Sequence, residues 1–139
     1  MTTARDIMHP GAACIQENET LEAAARRMKE LDVGALPICG PDDRLHGIIT
    51  DRDIVVKCLA RGKDPRTMTA GQLEQGKPVT IDAAADAGQV LHAMEEHRIR
   101  RLPVIDDHRL VGMISEADLA RHLPEGQVGH FVEVVCAAP

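Results

Sequence analysis

The chain has 139 residues, 44 % apolar and 27 % charged, with a formal net charge of -6, which is long enough to bury roughly two thirds of its unfolded surface and fold without staples. The acidic balance excludes a nucleic-acid binder, which needs a clustered basic excess, and a single aromatic residue, Phe131, excludes a stacking platform for single strands. No apolar run approaches the ~20 residues of a membrane helix and the start MTTARDIMHP lacks the apolar centre of a signal peptide, so a cytoplasmic protein is expected, with non-classical export left open.

In chain order, residues 12–16 (AACIQ) predict a short strand. A helix follows, with Leu21, Ala24, Ala25, Met28 and Leu31 at helical spacing behind the N-cap Thr20. ALPIC and RLHGIIT then read as two strands joined by the polar turn GPDDR. A second helix places Ile54, Val55, Cys58 and Leu59 on one face.

The same series then runs again. At an offset of 66, Thr3, Ala4, Ile15, Met28, Glu30, Leu36 and Pro37 fall on Thr69, Ala70, Ile81, Met94, Glu96, Leu102 and Pro103. Past one deletion, where GPDDR meets DDHR, Arg44, Leu45, Gly47, Ile49 and Asp53 fall on Arg109, Leu110, Gly112, Ile114 and Asp118. The second copy therefore predicts a strand at 78–82, a helix carrying Ala87, Val90, Leu91 and Met94 behind Asp86, strands RLPVI and RLVGMIS, and a helix with Leu119, Ala120 and Leu123. The expected fold is α/β (α+β), two βαββα repeats over 1–66 and 67–124 with a tail at 125–139. The crossover makes the first strand pair parallel and the tight turn makes the next antiparallel. Each repeat is then a three-stranded sheet with helices on one side, too small to stand alone, and its twin is the expected partner in a packing of approximate twofold symmetry with two equivalent clefts.

Thr50 to Asp53 and Ser115 to Asp118 both follow hydroxyl, any, any, acid where a strand hands over to a helix. The simplest reading is a capping box, with the hydroxyl and the acid each satisfying a free backbone N–H. The same place suits a phosphate, because a helix N-terminus presents unpaired N–H groups, and the acid could then accept from a ribose diol. Both readings stay open.

The order strand, helix, LPIC or LPVI, then G-h-h-[TS]-x-x-D resembles the CBS domain, named after cystathionine beta-synthase, and two in tandem resemble a Bateman module. The likeness covers 3–60 and 69–123. It implies a stand-alone regulatory module, not an enzyme, that binds AMP, ATP or S-adenosylmethionine in clefts between repeats, requires no cofactor, forms a homodimer and acts on an unidentified effector protein, in a stress response. Carried over residue by residue, Asp53 and Asp118 resemble ribose-binding acids, Thr50 and Ser115 hydroxyls near phosphate, and Thr80 a further cleft position. Arg52 is placed to supply phosphate charge. Its counterpart is Ala117, and that of Thr80 is Cys14, so the two pockets cannot be equivalent.

Cys14 and Cys39 end neighbouring parallel strands ~4.8 Å apart, which makes a disulfide geometrically plausible; two reduced thiols are the alternative in a reducing cytosol. Cys58 reads as core, and Cys136 as either free or paired between chains. No metal site is expected: His92 and His97 are five apart rather than i, i+4, and His97 replaces Leu31 at a core-facing position. His122 suits a negative helix end, and RIRR at 98–101 reads as solvated. The tail segment FVEVV is apolar and β-prone and is expected to pack on its own module or on a second subunit. Two further function classes stay open beside the regulatory module. One is a stress-linked structural or interaction protein of the same fold that has lost the ligand and carries a redox-sensitive disulfide; the other is a thiol-redox catalyst, which needs a cysteine of low pKa.

Overall fold

A computed structural model describes residues 1–136 apart from positions 12, 43, 75 and 77. The first residue of the strand predicted at 12–16, one residue of the GPDDR turn and the last three of the tail lie outside the described residues. The elements are α1 (Ala4–Ile7), β1 (His9–Pro10), β2 (Ile15–Gln16), α2 (Leu21–Leu31), β3 (Ala35–Cys39), β4 (Leu45–Thr50), α3 (Asp51–Asp53), β5 (Ile81–Asp82), α4 (Ala87–His97), β6 (Arg101–Asp106), β7 (Arg109–Ser115), α5 (Glu116–His122) and α6 (Glu125–Cys136). A π-helical turn at Ile54–Cys58 and short 3₁₀ turns at Leu59–Arg61 and Ala70–Leu73 lie between α3 and β5.

The chain groups into two compact units, Ala13–Pro78 and Met1–Ala12 with Val79–Pro139. In the first, β2 pairs parallel with β3 and β3 antiparallel with β4; in the second, β5 pairs parallel with β6, β6 antiparallel with β7, and β1 adds a fourth strand on β7. The parallel strands are shorter than the predicted spans. Ile15 pairs with Ile38 and Ile81 with Val104, so one more step back would face Pro37 or Pro103, which have no N–H to give a ladder.

Each unit's core is completed by the leading segment of the other repeat. Ala4 and Ile7 are fully buried among Val90, Met94, Leu102, Ile114 and Leu119, whereas Ala70 and Leu73 are buried among Ile15, Leu21, Leu36, Ile38 and Ile49. The backbone repeats this exchange: Ala4 N–H donates to the Ala85 carbonyl at 2.7 Å, and Ala70 N–H to the Glu19 carbonyl at 2.9 Å. Thr3 bridges Asp86, and Thr20 bridges its repeat-equivalent partner Thr69. Thr20 and Asp86 cap α2 and α4 as the spacing predicts, accepting from Ala23 N–H at 3.1 Å and Gln89 N–H at 2.8 Å.

Three expectations are corrected. The β-prone tail is helical: in α6, Phe131 and Val135, four residues apart on one face, enter the core beside Ala4 and Leu119, so tertiary burial overrides β-propensity. Leu31 and His97 are not core-facing, since each is the last residue of its helix and lies exposed. On the turn after α3, Ile54 and Cys58 are buried but Val55 and Leu59 are 55 % and 52 % exposed, because π-helical winding takes them off the 3.6-residue face.

Replacing Phe131 with Ala should cost about 3–5 kcal/mol of stability in urea unfolding, while Val132→Ala, on the exposed side of α6, should cost under about 0.5 kcal/mol. Equal effects would mean that α6 is not docked.

Candidate functional site

Both strand-to-helix junctions form capping boxes. At the β4–α3 junction Thr50 N–H donates to Asp53 Oδ2 at 3.0 Å, and Asp53 N–H returns to Thr50 Oγ1 at 3.0 Å. At the β7–α5 junction Ser115 N–H and hydroxyl donate to Asp118 Oδ2 at 2.9 and 3.0 Å, and Asp118 N–H reaches Ser115 Oγ at 3.4 Å. The second oxygen of each acid faces a cation one helical turn on: Asp53 Oδ1 lies 3.3 Å from Lys57 Nζ, and Asp118 Oδ1 lies 2.5 Å from Arg121 Nη2. One oxygen thus holds the backbone, leaving the other to a side chain.

Thr50, Arg52 and Asp53 come together at one junction, and Ser115 and Asp118 at the other. Arg52 is exposed, and its guanidinium makes no ion pair among the described residues; its backbone N–H donates to Asp51 Oδ1 at 2.8 Å. Its counterpart Ala117 leaves the second junction without that cation, but Arg121 supplies one from the next turn, which motif spacing alone does not reveal. Asp118 is the deeper acid, its side chain 4 % exposed against 18 % for Asp53, with His9 Nδ1 also 3.7 Å away. Thr80 is half-buried immediately before β5, two strands across the sheet from β7, and is not part of either capping box. A polar depression of about 320 Å³ in the unit of residues 13–78, lined by Lys63, Asp64, Thr67, Met68 and Gln72, includes none of these residues.

Cys14 and Cys39 are disulfide-bonded, with Cα atoms 5.6 Å apart. Cys14 stands immediately before β2 rather than at its end, two residues from Gln16, the register partner of Cys39, so the expected pair forms although Cys14 does not end its strand. Arg27 Nη1 donates to the Cys14 carbonyl at 2.5 Å. Cys58 is buried, its thiol 3.4 Å from the Lys63 carbonyl, and Cys136 is exposed.

Beside that disulfide stands a group that motif reading did not assemble. Glu17, His46 and Glu74 each offer a ligand-type atom, all within 4.8 Å of one another; His46 Nδ1 and Glu17 Oε1 are 2.6 Å apart. Burial, and after it the hydrogen bond and negative charge of Glu17, hold the Glu74 carboxyl above the usual carboxylate range, partly offset by His46. A signal for it exists in the repeat alignment: the equivalent positions in the other copy are Ala83, Val111 and Met8, all apolar.

A family model described as the CBS domain matches residues 4–59 and again 70–125. The chain belongs to the CBS-domain family. Hypoxic response protein 1 of Mycobacterium tuberculosis is 58 % identical to this CBS pair over 137 residues, 99 % of this chain and 96 % of the relative. A likeness to this mycobacterial protein, expected from the cysteines and the run EEHRIRRLPV, is borne out. The CBS domain-containing protein YhcV of Bacillus subtilis is 36 % identical over 86 % of this chain and 84 % of its own. Among solved structures, Hypoxic Response Protein I with two coordinated zinc ions superposes with a TM-score of 0.81 at 61 % identity, covering 88 % of this chain and 100 % of that one. CBSX2 in complex with AMP superposes with a TM-score of 0.74 at 20 % identity, covering 87 % and 95 %, which is a likeness of fold.

The Cys14–Cys39 bridge closes a loop with a sequence separation of 25, and constraining the unfolded chain over that length stabilises by about 3.5 kcal/mol. Urea unfolding with reductant should show a loss of that size, and a Cys14→Ser/Cys39→Ser chain should be insensitive to reductant.

Proposed function

We propose that this CBS pair is a non-enzymatic regulatory module, a homodimer, that binds an adenosine-containing ligand such as AMP, ATP or S-adenosylmethionine at its two strand-to-helix junctions and acts on an effector protein in a stress response. The observation that carries the reading is the division of labour in each acid: Oδ2 is committed to the cap, and Oδ1 faces side-chain cations, Lys57 at Asp53 and Arg121, with His9 farther off, at Asp118. A ribose diol can take over Oδ1 without opening the box, and the released cation is then on hand for phosphate. CBSX2, which carries AMP, lends the ligand class; the hypoxic response relative lends the stress setting.

The junctions should differ. Arg52 adds an unengaged guanidinium beside Thr50 and Asp53, whereas Asp118 is nearly sealed and already salt-bridged, so the β4–α3 junction is the tighter phosphate site. The same sealed state of Asp118 favours the second reading, a stress-linked structural or interaction protein that kept the fold without the ligand and braces it with the Cys14–Cys39 bridge.

A thermal-shift panel of AMP, ADP, ATP, NAD and S-adenosylmethionine tests the choice. A ligand at 100 times its Kd stabilises by ~2.7 kcal/mol. Asp53→Ala should abolish the shift, and Arg52→Ala should weaken a phosphate-bearing ligand about tenfold, as expected for loss of a charge-assisted hydrogen bond, without affecting adenosine. No shift with any of the five supports the second reading.

A further inference from the structure

The corner of the Ala13–Pro78 unit beside the Cys14–Cys39 bridge holds a polar group with no counterpart in the other repeat. Glu17 follows β2, His46 lies on β4, and Glu74 ends the 3₁₀ turn Ala70–Leu73. Backbone bonds tie the Glu17 and Glu74 segments together: Gly71 N–H donates to the Glu17 carbonyl at 2.9 Å, and Glu74 N–H to the Gly71 carbonyl at 3.3 Å. Glu74 Oε1 is sealed from solvent and has no hydrogen-bond partner among the described residues. A sealed, unpartnered carboxylate oxygen is costly, and here a second carboxylate lies beside it.

The backbone makes room for the group. A Cβ at Gly40 would stand 2.7 Å from His46 Cε1, and one at Gly47 would stand 3.1 Å from Glu74 Cγ. The other repeat is an internal control, because the same three positions are Met8, Ala83 and Val111, with Ala83 buried and the other two packed against its core. An apolar corner is therefore compatible with this fold, and the Glu, His and Glu set is not needed to build it. Glu17 already faces His46 Nδ1 at 2.6 Å, whereas the sealed Glu74 oxygen has no partner among the described residues, and a cation held by all three would satisfy it.

We propose that Glu17, His46 and Glu74 form a binding site for one divalent transition-metal ion, of which zinc is the best match. An imidazole among the donors disfavours magnesium and calcium, which take oxygen ligands. One nitrogen and two carboxylate oxygens suit four-coordinate zinc, with water in the remaining position. Side chains of Glu17 and His46 that are 41 % and 39 % exposed leave that position open to solvent. Tetrahedral zinc with bonds of ~2.1 Å spaces its ligand atoms about 3.4 Å apart, so the present group, within 4.8 Å, needs only side-chain rotation to close on an ion. Bound there, the ion ties the segment carrying Leu73 and Glu74 to the sheet that Leu73 helps to cover. The site does not rest on the adenosine reading.

The test uses the full-length chain, stripped with chelator and titrated with zinc chloride by calorimetry at neutral pH, with cobalt as a spectroscopic stand-in. The wild-type chain should bind one equivalent of zinc that both Glu74→Gln and His46→Gln lose, with cobalt giving visible bands of a four-coordinate nitrogen and oxygen site. Magnesium at the same concentration should not compete. Glu74→Met, which installs the residue of the other repeat, should fold with unchanged circular dichroism and lose the same equivalent. The proposal is overturned if these variants retain the wild-type number of zinc equivalents at wild-type affinity, or if the wild-type chain binds none.

Discussion

Neither repeat of this protein closes its own core. In the four-residue segments that lead each copy, Ala4–Ile7 and Ala70–Leu73, the apolar first and last residues are buried in the unit built from the other copy. Burying a single Leu or Ile side chain is worth about 1.5–3 kcal/mol, and a unit of this size has little stability to spare, so the exchange is a condition of folding. It also fixes what lies against each sheet. Gly112 is the residue over which β1 crosses, because a Cβ there would meet the His9 carbonyl oxygen at 2.6 Å, and its equivalent, Gly47, is where Glu74 crosses in the other unit.

That arrangement explains why G-h-h-[TS]-x-x-D occurs twice. The glycine admits the incoming segment, the two apolar residues of the strand point to opposite faces, the hydroxyl ends the strand and starts the helix, and the acid closes the box. Capping and recognition compete for the same carboxylate only if both need the same oxygen. The oxygen that caps and the oxygen that faces Lys57 or Arg121 are different atoms, so the proposed recognition would leave the cap closed. The differences between the copies sit around this shared frame, in Arg52 against Ala117, in Cys14 against Thr80, and in Glu17, His46 and Glu74 against three apolar residues.

Much of this is legible in the residues alone. The register of the repeat, the N-caps at Thr20 and Asp86, the two boxes and the closeness of Cys14 to Cys39 all depend on local spacing or on a topology with few alternatives. What escapes is set by tertiary context. Val132, Val134 and Val135 are poor helix formers by propensity, yet Phe131 and Val135 have a core to enter, and the helix follows from that. Leu31 looks like a core residue by period, but α2 ends there in a left-handed Asp32, beyond reach of the sheet. Glu17, His46 and Glu74 share no motif; only the fold brings them together.

The central claim is that the opening segment of each copy is part of the unit built on the other. Native-state amide exchange on a Val90→Ala chain tests it most directly, since Val90 is fully buried in the core that holds Ala4 and Ile7. The account predicts that the Ala4 and Met8 amides lose protection in step with those of β6 and β7 while the Ala70 and Gly71 amides keep theirs. Ala4 and Met8 amides that instead follow those of β3 and β4 would contradict it.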